Sequence, residues 1–265
     1  GRPAVLGTVT LTTDFGTGDP YVGAIKGVLL STSPQIQLID LSHDVPPQDI
    51  LAGAYLLQHA AVEFPAGTVH LAVVDPGVGS ARRALVVDAG GYHWVGPDNG
   101  LFSFALGLPG ARAFEITHPD LQRDRLSATF HGRDLFAPTA ARLAAGFCVV
   151  NVGPAIDDPV RLAPTRTVVN STLIEGAIVH LDHFGNAVSC ICSADLACLG
   201  DPSRLRVTLG KERVGLVETY ADVEPGNLTA LIGSGDLLEI VVRDGNAAQR
   251  LGLQRGDPVS VERCP

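Results

Sequence analysis

A change in the spacing of apolar residues near residue 170 constrains the fold more than any other feature of this chain. Before it, apolar runs of strand length alternate with segments that repeat apolar residues at helical spacing, which predicts βαβ units around a mostly parallel sheet. After it come short alternating runs separated by Gly, Asp and Pro, a pattern typical of a small antiparallel β-barrel. We therefore expect an α/β domain over residues 1–165 and a β-barrel domain over residues 166–265, linked through the proline-containing stretch 153–167.

The expected elements follow from these runs. In the first half we expect strands at 8–13, 36–41, 69–74, 84–87 and 92–95, and helices at 21–31, 48–60 and 133–146. In the second half we expect strands at 178–181, 205–209, 228–232 and 237–242. Asp98 and Asn99 follow one of these strands and favour the N-cap of a further helix.

Composition narrows the classes of function. The 265 residues include 28 acidic and 19 basic ones, for a net charge of −9, and the arginines are scattered rather than arranged in a stripe. Binding to nucleic acid or to an anionic membrane surface is therefore disfavoured, and a small-molecule partner is expected. No apolar run reaches the ~18 residues of a membrane span, and the first residues do not resemble a signal peptide, so we expect a soluble, cytoplasmic protein.

The cysteines indicate a reducing environment. Their number, five, is odd, which fits reduced thiols better than a disulfide framework. Cys190, Cys192 and Cys198 lie near His180 and His183, but a Cys-x-Cys pair without a second pair is poor spacing for zinc. We therefore expect no metal site.

The stretch 73–83 places an acid and two arginines directly after a predicted strand. Asp75 follows an apolar strand, where open α/β sheets bind their ligands, and Pro76 ends that strand because it lacks a backbone N–H. Two glycines then permit a sharp turn or the close approach of a ligand, and two arginines follow. The alternative is a tight turn in which Asp75 accepts local backbone hydrogen bonds and the arginines are solvated.

Three further segments carry candidate site residues, each with a structural alternative. Asp14 ends the first strand, and its carboxylate is suited to accept ribose hydroxyls or to cap a local turn. His131 lies at a loop-to-helix junction, either pointing into a cleft or serving as a hydrogen-bonded structural histidine. Asp182, Phe184 and Asn186 bring together an acid, an aromatic ring and an amide, which suits an amino group and a flat base, or a plain hairpin turn.

Taken in chain order, six segments resemble the S-adenosylmethionine hydroxide adenosyltransferase family, the hydrolases related to the adenosyl fluorinases and chlorinases. The segments are Thr-Asp-Phe-Gly at 13–16, Asp-Pro-Gly-Val-Gly at 75–79, Gly-Pro-Asp-Asn-Gly at 96–100, Phe-His-Gly-Arg-Asp at 130–134, Asp-His-Phe-Gly-Asn at 182–186 and Gly-Asn-Ala-Ala at 245–248. They span nearly the whole chain, and six matches in order are far more specific than any one of them. The resemblance implies an N-terminal α/β domain, a C-terminal β-barrel domain and a homotrimer whose active sites lie between one subunit's N-terminal domain and its neighbour's C-terminal domain.

The resemblance also implies a reaction and a set of site residues. Water attacks the ribose C5′ of S-adenosylmethionine and releases adenosine and methionine, so that S-adenosylmethionine is the substrate and no cofactor is implied. The catalytic residues implied are Asp75, Arg82 and His131. The substrate-binding residues implied are Asp14 at the ribose hydroxyls, Asp19 at the methionine end, Asp182 and Ser234 at the amino-acid part, and Phe184, Asn186, Asn246 and Ala247 around adenine. Tyr220 and Glu239 are also implied to bind the substrate. The alternatives for these two residues are structural roles at a strand edge and at the rim of the core.

Departures from the halogenases favour water over halide. The halogenases resemble one another in having tyrosine where this chain has Asp75, and fluorinases carry a serine in place of Gly132 and a long insertion after the Asp75 segment. Ser234-Gly235 stands where fluorinases have Ser-Arg, which leaves recognition of the methionine carboxylate open. The remaining alternatives are a chloride-using transferase and a non-catalytic adenosine or S-adenosylmethionine sensor.

Overall fold

The computed structural model describes residues 7–163, 165 and 167–264. The chain divides into two compact units, Gly1–Leu162 and Ala163–Pro265. This division lies next to the domain boundary that the spacing of apolar residues predicts at residue 165. Residues 164 and 166 of the expected link lie outside the described residues.

The first unit is built on a mixed sheet. Its strands are β1 Thr8–Thr13, β2 Gln37–Ser42, β3 Val69–Val73, β4 Ala84–Ala89, β5 Tyr92–Pro97, β6 Arg112–Glu115 and β7 Ala155–Ile156. The strand order is β2-β1-β3-β5-β4-β6-β7; the first four of these are parallel, and the other three join antiparallel. The α/β prediction is confirmed, and the parallel half of the sheet is the half that ends at Asp14 and Asp75.

Helices cover both faces of this sheet. They are α1 Tyr21–Thr32, α2 Ile50–Ala60, α3 Ser103–Leu106 and α4 Ala137–Ala144, with a π-helix over Gly132–Phe136 and 3₁₀ turns at Ala61–Glu63, Pro119–Leu121 and Val149–Asn151. Every residue of β3 is buried, because alternate side chains serve opposite cores. Leu71 and Val73 pack with α1 and α4, whereas Ala72 packs with α2 and α3, which explains the continuous apolar run of this strand.

Two local details in the first unit differ from the predictions. The helix expected over 133–146 starts as the π-helix and continues as α4, because Pro138 has no N–H for an α-helical bond at that point. Asp98 and Asn99 do not cap a helix, since α3 begins after Phe102 without a side-chain cap. Asp98 instead accepts hydrogen bonds from the Val160 N–H and from the Arg83 guanidinium, whose charge makes it the stronger partner for a buried carboxylate.

The second unit is a nearly closed antiparallel barrel. Its strands are β8 Thr167–Asn170, β9 Leu173–Leu181, β10 Ala187–Cys192, β11 Leu205–Leu209, β12 Glu212–Gly215, β13 Leu228–Ile232, β14 Leu237–Val242 and β15 Pro258–Arg263. The order is β12-β11-β15-β9-β10-β14-β13, with β8 paired to β9, and a bridge between Leu216 and Ala230 brings the chain after β12 to β13. The barrel prediction is confirmed.

Short helices complete the barrel unit. They are α5 Ser193–Leu199 and α6 Ala247–Leu251, with 3₁₀ turns at Pro202–Arg204 and Tyr220–Asp222. The alternating strand residues meet in one core, with Ile174, Ile191 and Val261 among its buried members. Among the described residues of both units, no helix has the length and apolar character that crossing a membrane requires.

Candidate active site

A tight turn after β3 brings Arg82 back to Asp75. Asp75 follows the fully buried Val74, so it stands at the end of a strand that the core holds firmly. Gly79 in this turn has a φ of +78°, and a Cβ there would lie 2.4 Å from the carbonyl oxygen of Ala128. The turn therefore requires glycine, and it reverses the chain within a few residues.

Arg82 links Asp75 to His131. Its Nε donates a hydrogen bond to Oδ1 of Asp75 at 2.9 Å, its Nη2 donates to Oδ2, and the same Nη2 donates to Nδ1 of His131 at 3.0 Å. The side chains are nearly buried, with 4% of Asp75 and 10% of Arg82 exposed, and the guanidinium lies 5.2 Å from the ring centroid of Phe136. Bidentate pairing of this kind fixes the plane of the carboxylate as well as its charge.

The contact with Arg82 also decides the tautomer of His131. A guanidinium only donates, so Nδ1 of His131 accepts and its proton lies on Nε2. The pKa of His131 is lowered, first because burial disfavours the charged imidazolium and second because Arg82 carries a like charge. The arrangement therefore offers a ligand two fixed groups, the neutral Nε2–H donor of His131 and the remaining lone pairs of Asp75.

The second arginine of the stretch 73–83 also pairs with a buried acid. Arg83 donates through Nε to Asp98 at 2.9 Å and through Nη1 to Asp158 at 2.6 Å, and the Asp98 side chain is only 2% exposed. The interpretation of this stretch as a plain turn with solvated arginines is therefore wrong. Two neighbouring Asp–Arg pairs stand at the ends of β3 and β5, and the pair at β3 is the one joined to His131.

Asp14 lies at the same edge of the sheet as Asp75, because β1 and β3 are adjacent and parallel. Its Oδ2 accepts the backbone N–H of Gln48 at 2.7 Å, from a loop 34 residues further along the chain rather than from a local turn. Its carboxylate is partly exposed and keeps capacity to accept further donors. Asp19 lies exposed just before α1.

Three aromatic rings form an apolar wall in the first unit. Phe15, Tyr21 and Phe130 meet edge to face, with ring centroids 5.5 to 6.1 Å apart. They border a cavity of about 330 Å³ together with Ser127, Thr129 and Arg133. Phe130 directly precedes His131, so the wall and the catalytic candidate are carried by the same segment.

In the second unit, Asp182, Asn186 and Tyr220 form one hydrogen-bonded group. Oδ1 of Asp182 accepts the backbone N–H groups of Phe184 at 2.8 Å and Asn186 at 2.9 Å, and Oδ2 accepts the Asn186 side-chain amide at 2.9 Å. The same amide nitrogen donates to the Tyr220 hydroxyl at 3.3 Å. Asp182 therefore closes the β9–β10 turn as the hairpin interpretation requires, and it presents Phe184 with 72% of its surface exposed.

Glu239 adds negative charge to this group. Burial and, secondly, the charge of Asp182 raise the pKa of Glu239. Burial, followed by the charges of Glu239 and Asp182, raises the pKa of the Tyr220 hydroxyl. Both directions mean that additional negative charge is resisted here, and a cationic ligand group would be favoured.

The remaining predicted residues lie around the same unit. Oδ1 of Asn246 accepts the N–H of Gln249 at 2.6 Å and caps α6, while Ala247 is fully buried in the first turn of that helix. The Asn246 side chain occupies the space beside Gly185, where φ is +82° and a Cβ would lie 2.0 Å from its Cγ. Ser234 is exposed in the turn between β13 and β14. A cavity of about 560 Å³ is lined by Phe184, Asn186, Tyr220, Val242, Asp244 and Gly245.

Comparison with known families identifies the chain. The SAM hydroxide adenosyltransferase N-terminal domain matches residues 9–153, and the C-terminal domain of the same family matches residues 176–260. The chain belongs to the SAM hydroxide adenosyltransferase family. The predicted family membership is thus confirmed over both halves of the chain.

Its relatives in this family include hydrolases and fluorinases. A relative from Thermus thermophilus named (R)-S-adenosyl-L-methionine hydrolase is 41% identical over 255 residues, covering 93% of this chain and 96% of the relative. One of the same name from Salinispora tropica is 42% identical over 257 residues, covering 96% and 97%. A fluorinase from an Actinoplanes species is 28% identical over 290 residues, covering 97% of each chain.

Solved structures support the same fold. The crystal structure of an uncharacterized conserved protein from Thermotoga maritima superposes with a TM-score of 0.89 at 32% identity, covering 96% of this chain and all of that one. A conserved hypothetical protein from Thermus thermophilus gives a TM-score of 0.77 at 38% identity, covering 97% of this chain.

The sequence did not reveal the support that three residues give to the candidate site. Phe136 lies under the Arg82 guanidinium, and the Asn99 amide donates to the Val74 carbonyl at 2.8 Å, just before Asp75. Gln48 donates its backbone N–H to Asp14. Asn99 could have been found, because it lies in one of the six segments that resemble the family. Gln48 could not, because it contributes a backbone N–H, which the identity of a side chain does not indicate.

Proposed function

We propose that this chain hydrolyses S-adenosyl-L-methionine to adenosine and L-methionine by in-line attack of water on the ribose C5′. The observation that carries the proposal is the Asp75–Arg82–His131 group, which offers one hydrogen-bond acceptor and one neutral donor on immobilised side chains. Water is both donor and acceptor, so it suits this pair. Four full-length relatives named as hydrolases of this substrate, at 34 to 42% identity, support the same reaction.

The chemistry requires little more than placement and removal of a proton. The water oxygen forms a bond to C5′, and the C5′–S bond breaks with its electron pair going to sulfur, which leaves methionine as a neutral thioether. The water proton passes to Asp75 and then to solvent. Because the sulfonium is already a good leaving group, a general acid is not needed, and orientation of the weak nucleophile is the main contribution.

Arg82 and His131 have separate roles in this scheme. Arg82 holds the nearly buried carboxylate of Asp75 in one plane, because it donates to both of its oxygens. His131 donates through Nε2 to the water oxygen and so turns a lone pair of that oxygen toward the carbon. Its lowered pKa keeps it neutral at pH 7, and the donor stays in the tautomer that Arg82 dictates.

The surroundings fit a substrate whose positive charge disappears during reaction. Carboxylates against the sulfonium would stabilise the ground state more than the transition state, so apolar walls are favoured there. Phe15, Tyr21 and Phe130 provide such a wall in the first unit. In the second unit, Asp182 and Glu239 suit the α-ammonium group, which stays charged throughout.

Substrate stereochemistry and assembly are part of the proposal. The relatives' names specify an (R) form, and because L already defines the α-carbon, we assign (R) to the sulfonium. We also propose a homotrimer with shared active sites. The ring of Phe184, which is 72% exposed, supports this assembly because a neighbouring subunit or the substrate can bury it there. We propose a cytoplasmic location, since the five cysteines, all of them among the described residues, form no disulfide, as suits a reducing compartment.

The decisive experiment supplies each sulfonium epimer separately in ¹⁸O-water containing high chloride. We expect adenosine and methionine in equal amounts from the (R) epimer, with the label on the 5′ oxygen. Substantial 5′-chloro-5′-deoxyadenosine would indicate a chloride-using transferase. Binding of the substrate without products above background would indicate a sensor.

A further inference from the structure

We propose that the loop between β2 and α2, residues 43–49, is a clamp that fixes Asp14 for the ribose before the substrate arrives, with the Gln48 backbone and the His43 side chain as its positioning elements. The clamp rests on the proposed function, because it concerns the ribose of the substrate. Asp14 is the group that touches the ligand, and the loop acts through it.

The backbone of Gln48 is the first observation. Its φ is +65°, in the left-handed region that disfavours side chains other than Gly, Asn and Asp. The other two non-glycine residues with positive φ among the described residues are both aspartates, Asp236 and Asp244. Strain of this kind persists only where the surroundings enforce it, and its effect here is to aim the N–H of Gln48 at Oδ2 of Asp14, 2.7 Å away.

The surroundings of Gln48 do enforce this conformation. Two prolines precede it, and the N–H of Asp49 donates to the carbonyl of Pro46 at 3.0 Å. Asp49 then caps α2 by accepting the N–H of Ala52 at 2.9 Å. Gln48 is thus held between a stiff segment and a capped helix, and these contacts on its C-terminal side support its positive φ.

His43 is the second, independent observation. Its side chain is 4% exposed, and Nδ1 forms a hydrogen bond with the hydroxyl of Thr13 at 2.8 Å, while Nε2 lies 3.0 Å from Oδ1 of Asp40. The Thr13 hydroxyl also accepts the N–H of Phe15 at 3.3 Å. A buried imidazole therefore ties the two residues that flank Asp14 to the end of β2.

Backbone hydrogen bonds close the clamp. The N–H of Gly16 donates to the carbonyl of His43 at 2.7 Å, and the N–H of Val45 donates to the carbonyl of Thr13 at 3.3 Å. Together with the two side-chain contacts, the loop therefore holds the turn 13–16 on both sides of Asp14. With Oδ2 occupied by Gln48, the carboxylate is oriented and its remaining lone pairs can accept the 2′ and 3′ hydroxyls without loss of side-chain freedom on binding.

Two substitutions at Gln48 separate its backbone from its side chain. Gln48→Gly removes the side chain but adopts the positive φ without strain, whereas Gln48→Val removes the side chain and disfavours that φ. We expect Gln48→Gly to keep wild-type affinity and Gln48→Val to weaken binding of adenosine about tenfold, the lower bound for loss of a hydrogen bond to a charged group. Equal losses in both variants would overturn the clamp, because the side chain would then be the part that matters.

A ligand without the hydroxyls shows whether the loop acts through the ribose. Calorimetry with 2′,3′-dideoxyadenosine should give the same affinity for wild type, Gln48→Val and His43→Leu, because the contact that the clamp prepares is absent from this ligand. Equal weakening for both ligands would overturn the proposal, as would a wild type that does not prefer adenosine over the dideoxy form. Gln48→Val and Gln48→Gly keep the test valid if His43→Leu fails to fold.

These binding measurements are independent of turnover. The wild type and the two Gln48 variants could bind the two ligands as expected while the wild type does not cleave S-adenosylmethionine. That outcome would refute the proposed hydrolysis and leave the clamp unaffected. A wild type that cleaves the substrate, with no difference between the two Gln48 variants on either ligand, would refute the clamp alone.

Discussion

Replacing Asp75 with Asn separates charge from shape at the centre of the proposed site. The amide keeps the volume of the side chain and one oxygen that can accept from Arg82, but it cannot take a proton from water. A positioned base contributes about 10²- to 10⁴-fold in rate, so we expect kcat of Asp75→Asn to fall by that factor. Substrate affinity should change little, because the lost interaction acts on the water and develops in the transition state.

The same substitution also weakens a nearly buried ion pair. Arg82, 10% exposed, keeps its contact with His131 but loses one of its two acceptors on residue 75. Breaking a buried pair outright costs about 3–5 kcal/mol, and Asn at position 75 should cost less because one oxygen remains. A loss of activity could therefore arise from partial unfolding rather than from loss of the base, and a control is needed.

The chain offers a matched control in Asp98, which pairs with Arg83 at the end of the neighbouring strand and is also almost fully buried. We expect Asp98→Asn to lower the free energy of unfolding to a similar extent while kcat stays near the wild-type value. Both variants should be compared by product formation at saturating substrate and by urea unfolding at the same temperature. A kcat of Asp75→Asn within tenfold of wild type, or an equal loss in Asp98→Asn, would refute the assigned role of Asp75.

Further outcomes follow from the same contacts. His131→Asn, which keeps an acceptor near Nδ1 but no donor at Nε2, should lower kcat about 10²-fold, and His131→Gln, which keeps that donor, should lower it less; equal rates would contradict donation through Nε2. Because the pKa of His131 is lowered, the midpoint of the loss of wild-type kcat from its protonation should lie below the ordinary histidine value of 6.5 in a pH–rate profile. Burial lowers the pKa of His70 to about 4, so as the pH falls the unfolded state protonates this histidine before the folded state does. The free energy of unfolding should therefore fall by up to about 3 kcal/mol as the pH drops from 6.5 to 4. His70→Gln should remove that part of the pH dependence of urea unfolding. Light scattering of active protein should give three times the 27.6 kDa chain mass, and a monomer mass would exclude shared active sites.

The fold was predictable because its signals are local. The buried β3 and the alternating strands β11, β13 and β14 were predicted to within one residue at each end, since apolar periodicity records which face each side chain serves. The π-helix was not predictable, because it depends on tertiary contacts as well as on Pro138. Asp134 in that helix is held by its neighbour Arg133 and also by Arg123 and the N–H of Ser127, both of which lie outside the helix.

The candidate site was predictable only as far as side-chain chemistry and ordered motifs reach. Asp75, Arg82 and His131 were predicted from the resemblance, and the structure adds that Arg82 lies between the other two. The tautomer of His131 could not be predicted, because it follows from which ring nitrogen meets the guanidinium. Gln48 was missed because its contribution is a backbone N–H and a φ angle, neither of which depends on the identity of its side chain in a readable way.

The charge at position 75 gives a physical reason for preferring water over halide. A halide ion beside C5′ must lose its hydration shell, and next to Asp75 it meets a like charge at low dielectric, where two unit charges ~4 Å apart interact by several kcal/mol. Arg82 offsets this only in part, because its Nε and Nη2 are already bound to that carboxylate and the pair is nearly neutral as a unit. A halide also only accepts hydrogen bonds, so it could use the Nε2–H of His131 but would leave the lone pairs of Asp75 unpaired. Water satisfies both groups without bringing a charge, and the selectivity of this site therefore follows from its hydrogen-bond polarity rather than from its size.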